Sequence, residues 1–402
     1  MLNTILESLA HGLLPLPWWG YLLVAAVTIH VTVIGVTLYY HRDQAHRALD
    51  LHPVLRQFFR CWVWATTAMV VHQWVAVHRK HHAFVEQEGD PHSPQLLGLK
   101  RMLLDGAQVY REATWDDDSI AAYRHGTPDD WLERHVYGRH NHLGVVTLLI
   151  VEAILFGLPG VAIWALQMLN MPVLASALIN GVGHHSGYRN FDVPDASTNV
   201  TPIAFLAGGE ELHNNHHAFP SSAKFSVRRF EFDIGWGYIR FLSALGLAKV
   251  RRTYPRPSFV PRASRIDLDA MRAVVTNRLH VLRAYRREVL MPLVRAELKR
   301  SQGGSMRRLR YLFVRDSRFL DRTALRDREH LIHRFPQLQT VWQYRENLRA
   351  IWEDRAASNE RALERLRTWC HEAEQSGIKG LEEFAARLRT WRLSSSSGMT
   401  NA

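Results

Sequence analysis

Apolar and polar positions divide the chain into two unlike stretches. From Trp18 to Tyr40 nearly every residue is apolar, and no Lys or Arg precedes Arg42. A run of that length can cross a bilayer core of about 30 Å as a helix. Trp18, Trp19, Tyr21, Tyr39 and Tyr40 flank it, where aromatic rings suit the two interfaces. We read 18–40 as a first span; a cleaved leader would need a basic start, which Met1 to Leu16 lacks. A second stretch, Asn141 to Tyr188, holds Glu152 as its one Asp, Glu, Lys or Arg and carries Gly157-Leu158-Pro159-Gly160, a turn signal, inside it. It predicts a hairpin of two spans, about 142–157 and 161–181. Glu152 is costly inside a bilayer and is expected to face protein.

Phe58 to Val77 is apolar but carries Thr66, Thr67, His72 and Gln73. A single crossing there would put the histidines at 41–46 and 78–82 on opposite faces. For one shared site the segment has to lie in the interface, so an amphipathic interfacial helix over about 55–77 is expected. Basic residues flank the histidine clusters, while the first forty residues and the 157–160 turn have none. That asymmetry places the clusters on the cytoplasmic side. Past residue 250 the pattern becomes Arg- and Glu-rich with helical periodicity, broken at Ser301–Ser305 and ending in a Ser-rich tail from Ser394.

Composition sharpens the division. The 402 residues carry a net charge of +12. Residues 1–250 hold 18 Lys and Arg against 21 Asp and Glu, and residues 251–402 hold 32 against 17, so the basic excess belongs wholly to the second stretch. Histidine runs the other way, with 19 of 23 in residues 1–250. Two cysteines, Cys61 and Cys370, exclude a disulfide framework and a Cys-based zinc or iron–sulfur site. A hydrophobic content of 47% excludes disorder.

Three clusters carry the candidate chemistry: His41-Arg-Asp-Gln-Ala-His46, His78-Arg-Lys-His81-His82 and His213-Asn-Asn-His216-His217. Imidazole binds iron, zinc, copper and nickel alike, so the ligand type does not name the metal. Helix positions i, i+3 and i+4 share a face, so His78, His81 and His82 are expected to converge, as are His213, His216 and His217. His41 and His46 stand about 140° apart around an α-helix. That predicts a departure from helical geometry and a reach to two metals. A lone histidine is more often packed or solvated than functional, and His30, His52, His92, His125, His135, His140 and His142 are read that way. Eight in three patterned clusters would otherwise repel on protonation or bury polar groups to no use.

These boxes, HxxxxH, HxxHH and HNxHH, resemble those of the membrane-bound fatty acid desaturases, in particular acyl-CoA Δ9 (stearoyl-CoA type) desaturases of a bacterial-like form. The likeness extends to Trp74, Asp90-Pro91-His92, Asn180-x-x-x-His184-x-x-Gly187-Tyr188-Arg189, Gly209-Glu210 and Phe219-Pro220, over roughly residues 18–240. The resemblance implies a di-iron centre held by His41, His46, His78, His81, His82, His184, His213, His216 and His217, with Asn180 reaching one metal through a water. His185 falls at an apolar family position and is not a ligand. The implied reaction is O2-dependent dehydrogenation, leaving a cis double bond at Δ9 in a saturated acyl chain carried on CoA or in a lipid. Its cofactors are two Fe2+ and O2 as co-substrate, with reducing equivalents from NAD(P)H through a separate ferredoxin-like or flavin reductase protein. No heme-binding His-Pro-Gly-Gly segment of a fused cytochrome b5 is present. Ala76 and Val77 stand where animal enzymes carry an Arg-Asp pair near CoA, and one clear span precedes the first box where those enzymes have two, with residues 1–17 a partial, re-entrant equivalent.

The fold so implied is all-α. Residues 1–250 form an integral membrane helical domain with a cytosolic histidine-rich di-metal cap, and 251–402 form a basic helical cytosolic extension. The location is the inner (cytoplasmic) membrane, multi-pass, with the metal site and C-terminus cytoplasmic. Partners are the bilayer, the acyl substrate and the donor, with no nucleic acid. Trp74 and Ser176 are expected near the bend of the acyl chain, and Val33 and Ile29 at the floor of its tunnel. A fatty acyl or alkane hydroxylase of the same di-iron class and a non-catalytic membrane metal-binding protein are the rival readings. The basic extension reads either as a solvated helical surface or as a contact for anionic headgroups, CoA phosphates or an acidic donor.

Overall fold

The apolar run beginning at Trp18 forms one helix, α1, over Trp18–Ala45, in a computed structural model that describes residues 10–261, 263, 265–300, 305–354 and 358–394. The re-entrant stretch expected over 1–17 lies partly outside the described residues. The break at Ser301–Ser305 and the Ser-rich tail lie almost wholly outside them. The chain forms two compact units: Met1–Tyr188 with Ser197–Tyr254, and Arg189–Ala196 with Pro255–Ala402. The short Arg189–Ala196 segment thus groups with the second unit, which a single boundary at 250 did not anticipate.

In the first unit the last ten residues of α1, Val36–Ala45, wind as a π-helix. Helix α2, Pro53–Thr67, opens with proline in its first turn, where the missing N–H costs nothing. It stops at Ala68, whose φ of 58° is left-handed. Helix α3 then runs over Val71–Phe84. The one interfacial helix expected over 55–77 is therefore two. The break has its own bonds: Met69 N–H donates to Thr67 Oγ1 at 3.1 Å, and Tyr40 O–H donates to the Met69 carbonyl at 3.1 Å. Helix α4 covers Leu99–Ala113.

Helices α5, Asn141–Phe156, and α6, Leu158–His184, form the hairpin. Its turn depends on glycine twice. Gly157 has φ +66°, and a Cβ on Gly160 would lie 1.9 Å from the Glu152 carbonyl oxygen. Helices α1 and α6 are long and apolar enough to cross a membrane, and α5 is a shorter apolar helix. Glu152 faces protein: it is buried and accepts from Gln167 Nε2 at 2.7 Å. Helices α7, His213–Ala218, and α8, Ile234–Ala244, follow. Leu49–Leu51 pairs antiparallel with Ala248–Val250, fastening the chain after the first box to the end of the unit.

Leu38, Tyr39, Tyr40, Val63, Val75 and Ile239 form the unit's apolar core. Beside it Arg42 is wholly buried. It bonds Asp233 Oδ1 at 3.0 Å, the Ala223 carbonyl at 3.0 Å and the Gly208 carbonyl at 3.2 Å, and lies 3.9 Å over the Phe225 ring. One guanidinium therefore ties the first box to the loops around the third.

The second unit is a set of amphipathic helices: α9 Leu268–Thr276, α10 Arg278–Tyr285, α11 Met291–Arg300, α12 Met306–Val314, α13 Arg322–Arg334, α14 Pro336–Glu353, α15 Asn359–Glu374 and α16 Lys379–Leu388. Their apolar faces meet in a core that includes Tyr285, Val341, Leu366, Trp369 and Phe384. Pro257–Phe259 pairs antiparallel with Trp391–Leu393 to close its ends.

Candidate metal centre

The nine histidines named from the sequence meet in the first unit in two groups. His41, His46, His78, His82 and His216 form one, and His81, His184, His213 and His217 the other; within each, one nitrogen per ring lies within 4.8 Å of every other. Two expectations change. Neighbours on a helix point about 100° apart, so each HH pair splits. His78 and His82 go to the first group and His81 to the second, while His216 goes to the first and His213 and His217 to the second. Nor do His41 and His46 reach two sites. The π-helix bonds i to i+5, with His46 N–H on the His41 carbonyl at 3.0 Å. This brings both rings to one face, 4.8 Å between centroids.

Carboxylates stand behind three of the rings. His41 Nδ1 donates to Glu210 at 2.7 Å, His81 Nδ1 to Asp90 at 2.9 Å and His184 Nδ1 to Glu86 at 2.7 Å. A carboxylate only accepts, so the proton sits on Nδ1 and the Nε2 lone pair faces inward. There it meets other ring nitrogens: His41 Nε2 lies 3.1 Å from His216 Nε2, and His184 Nε2 2.9 Å from His213 Nε2. Burial, followed by the charge of neighbouring rings, holds His46, His78, His82, His213, His216 and His217 well below the ordinary 6.5, so they are neutral. Among the described residues, His81 Nε2 is buried with no hydrogen-bond partner. Converging neutral lone pairs repel unless a cation lies among them. The donor set, imidazole nitrogen backed by carboxylate, fits two first-row transition ions.

The orienting role of Glu86, Asp90 and Glu210 went unread in the sequence. The signal was acidic residues beside the boxes, Glu86 four residues past His82 and Glu210 three before His213. Glu86 holds a left-handed φ of 56°, and its N–H donates to Asp90 Oδ2 at 2.7 Å. Backbone strain of this kind gathers where a side chain must be aimed. Glu86→Gln is expected to cut metal retention and turnover about 10- to 100-fold. Metal analysis of the purified protein alongside product yield checks it, and wild-type values for both would deny Glu86 an orienting role.

A cavity of about 510 Å³ opens beside the histidines, with Val33, Trp74, Ser176, Asn180, His41 and His213 in its wall. Ile29 is not among the lining residues. Trp74 stacks on His78 with centroids 4.9 Å apart and planes at 10°. His92 packs on His81 at 4.3 Å and also lines the cavity. His185 belongs to neither group; its Nδ1 is bonded to Ser186 Oγ at 2.7 Å.

A family profile described as fatty acid desaturase matches residues 16–233, more than half of the chain. A profile described as transposase matches residues 269–401, about a third of it. The chain is 31% identical over 238 residues to Delta-9 acyl-lipid desaturase 1 of Arabidopsis thaliana, covering 57% of this chain and 74% of that protein. It is 32% identical over 228 residues to an acyl-CoA 5-desaturase of Anemone leveillei, covering 54% and 66%. Palmitoyl-monogalactosyldiacylglycerol delta-7 desaturase, also from Arabidopsis thaliana, is 31% identical over 224 residues, covering 54% and 57%. The matched stretch contains all nine converging histidines and the carboxylates behind them, and on that joint ground the chain belongs to the fatty acid desaturase family, oxidoreductases of lipid metabolism that act on acyl lipids or acyl-CoA.

Proposed function

We propose that the protein is an integral membrane desaturase that introduces a cis Δ9 double bond into a saturated acyl chain. Nine histidines would hold two irons, with Asn180 reaching one through a water. The observation that carries the reading is the meeting of two histidine groups, five and four rings, beside an acyl-sized cavity. When bound, iron supplies O2-dependent oxidation of unactivated C–H bonds, with electrons from a separate ferredoxin-like or flavin reductase protein fed by NAD(P)H. The protein's part is placement. Glu86, Asp90 and Glu210 fix ring orientation, Thr37 Oγ1 donates to Glu210 at 2.6 Å, and the flat face of Trp74 against His78 bounds the chain's path. Apolar wall residues such as Val33 and Met171 exclude water from the reacting carbon.

The membrane reading draws on what the helices leave uncovered. Leu22, Leu23 and Val27 on α1, Ile150 and Ile154 on α5, and Leu166, Leu169 and Val173 on α6 are exposed, a belt too large for water. With basic residues beside the boxes, the site and the C-terminus belong on the cytoplasmic side of the inner membrane. For the acyl carrier we take CoA. A lipid-borne chain is the second reading, and its support is that Ala76 and Val77 are buried in an apolar cluster with Ile120 and offer nothing to a phosphate.

Lipid profiling of cells expressing the protein, with double bonds located by mass spectrometry, tests the reaction. A cis Δ9 alkene is expected. A hydroxylated chain would instead favour the hydroxylase, and an unaltered profile with bound metal the non-catalytic rival. Chain length supplies a second test. Val33 lies eight residues before His41 on α1 and lines the cavity. Val33→Trp is expected to shift preference toward C14 over C18 by about tenfold, the scale of a few methylenes in an apolar pocket. Ile29→Trp, outside the lining, is expected to change nothing. Competition assays decide it, and an unmoved preference in Val33→Trp would put the floor elsewhere.

A further inference from the structure

We infer that the second unit contains a phosphate-binding pocket formed by Arg315, Arg328, Arg345, Ser317 and Trp342. These residues line a cavity of about 160 Å³ within that unit, room for about five waters and so for a tetrahedral oxyanion. The sequence builds it economically. Trp342, Arg345, Glu346 and Arg349 follow i, i+3, i+4, i+7 spacing on α14 and share one face. Arg328 comes from α13, and Arg315 to Ser317 from the turn after α12.

The charges do not cancel inside it. Each carboxylate in the wall is already engaged by an arginine: Asp192 by Arg286 and Arg345, Asp316 by Arg318, and Glu346 by Arg345. Arg349 is engaged by Glu353. Among the described residues, Arg315 and Arg328 make no ion pair. Arg328 is buried and, among the described residues, hydrogen-bonds only the Ser317 hydroxyl, at 2.9 Å. The Arg345 side chain is 9% exposed, and its Nε, like that of Arg315, is buried without a hydrogen-bond partner among the described residues. Arg328 and Arg345 also crowd one indole, 5.2 and 4.8 Å from the Trp342 ring. Burial and then the charge of Arg345 hold the Arg328 guanidinium below its ordinary value. Gathered, poorly solvated cations of this kind need an anion. Two uncommitted positive charges with forked N–H donors and a hydroxyl match a phosphate dianion better than a chloride or a single carboxylate.

The phosphate could be free or the headgroup of an anionic lipid, and the chemistry is the same. The test is calorimetry of full-length protein in detergent, titrated with inorganic phosphate, beside flotation with phosphatidylcholine vesicles containing phosphatidic acid. Saturable phosphate binding is expected, weakened about tenfold or more in Arg315→Gln and Arg328→Gln. It is expected to be unchanged in Arg308→Gln, an exposed arginine paired with Asp327. Should Arg328→Gln fail to fold, half-exposed Arg315 still carries the test. Vesicle binding that free phosphate displaces identifies a headgroup; phosphate binding without it identifies a free anion, and either supports the pocket. Absence of saturable heat, or equal affinity in Arg315→Gln, would overturn it.

Discussion

Replacing His216 with alanine is expected to reduce desaturation at least about a hundredfold while leaving membrane insertion intact. His216 is the crossing point of the first histidine group. Its Nε2 lies 3.1 Å from that of His41 and 2.9 Å from that of His82, so one ring ties the first box to the second. It sits on the short helix α7, outside the apolar helices, so insertion does not depend on it. His185→Ala is the matched control: it removes a neighbouring imidazole that belongs to neither group. Product analysis with metal content reads the result. Loss of metal and alkene in His216→Ala alone is expected, and full activity there would remove the site assignment.

Arg42→Met is expected to destabilise the first unit by about 3–5 kcal/mol, the scale of breaking a buried ion pair from one side. Asp233 would keep its charge with no exposed surface to share it. It also accepts from the Phe225 N–H at 2.8 Å and the Trp236 N–H at 2.9 Å, so the loss spreads into the loop at Phe225 and the first turn of α8. Lysine is expected to recover little, because a point charge cannot serve Asp233 and two carbonyls as a planar fork does. Thermal unfolding in detergent measures it. An unchanged melting temperature in Arg42→Met would mean that the pair contributes nothing net.

What the sequence made legible follows from which signals are periodic. The apolar run of α1, the Gly157–Gly160 turn and the three boxes each mark themselves by spacing, and the structure brings all nine named histidines together. The break at Ala68 left no mark, because alanine is a helix former and its left-handed φ is imposed by Thr67 and by Tyr40 on the Met69 carbonyl. The partition of each HH pair is hidden when i, i+3 and i+4 count as one direction, because adjacent residues diverge by about 100°. Glu86 and Glu210 escape because they meet His184 and His41 across 98 and 169 positions, pairings that only the tertiary fold creates. The grouping of Arg189–Ala196 with the second unit is likewise a long-range result, carried by Arg286 on Asp192 and on the Asn190 carbonyl.

The π-helical winding of Val36–Ala45 limits how the first box can be moved. The six residues from His41 to His46 do not carry their geometry with them. Grafted onto an ordinary α-helix of a designed scaffold, they would present the two imidazoles about 140° apart and chelate nothing as a pair. A transplant needs the wider coil too, together with what holds it in place here: Arg42 pinned to Asp233 and the Leu49–Leu51 ladder just beyond. The transferable part is therefore a stretch of wound backbone with its anchors, and an engineer who copies the histidines alone would copy the wrong thing.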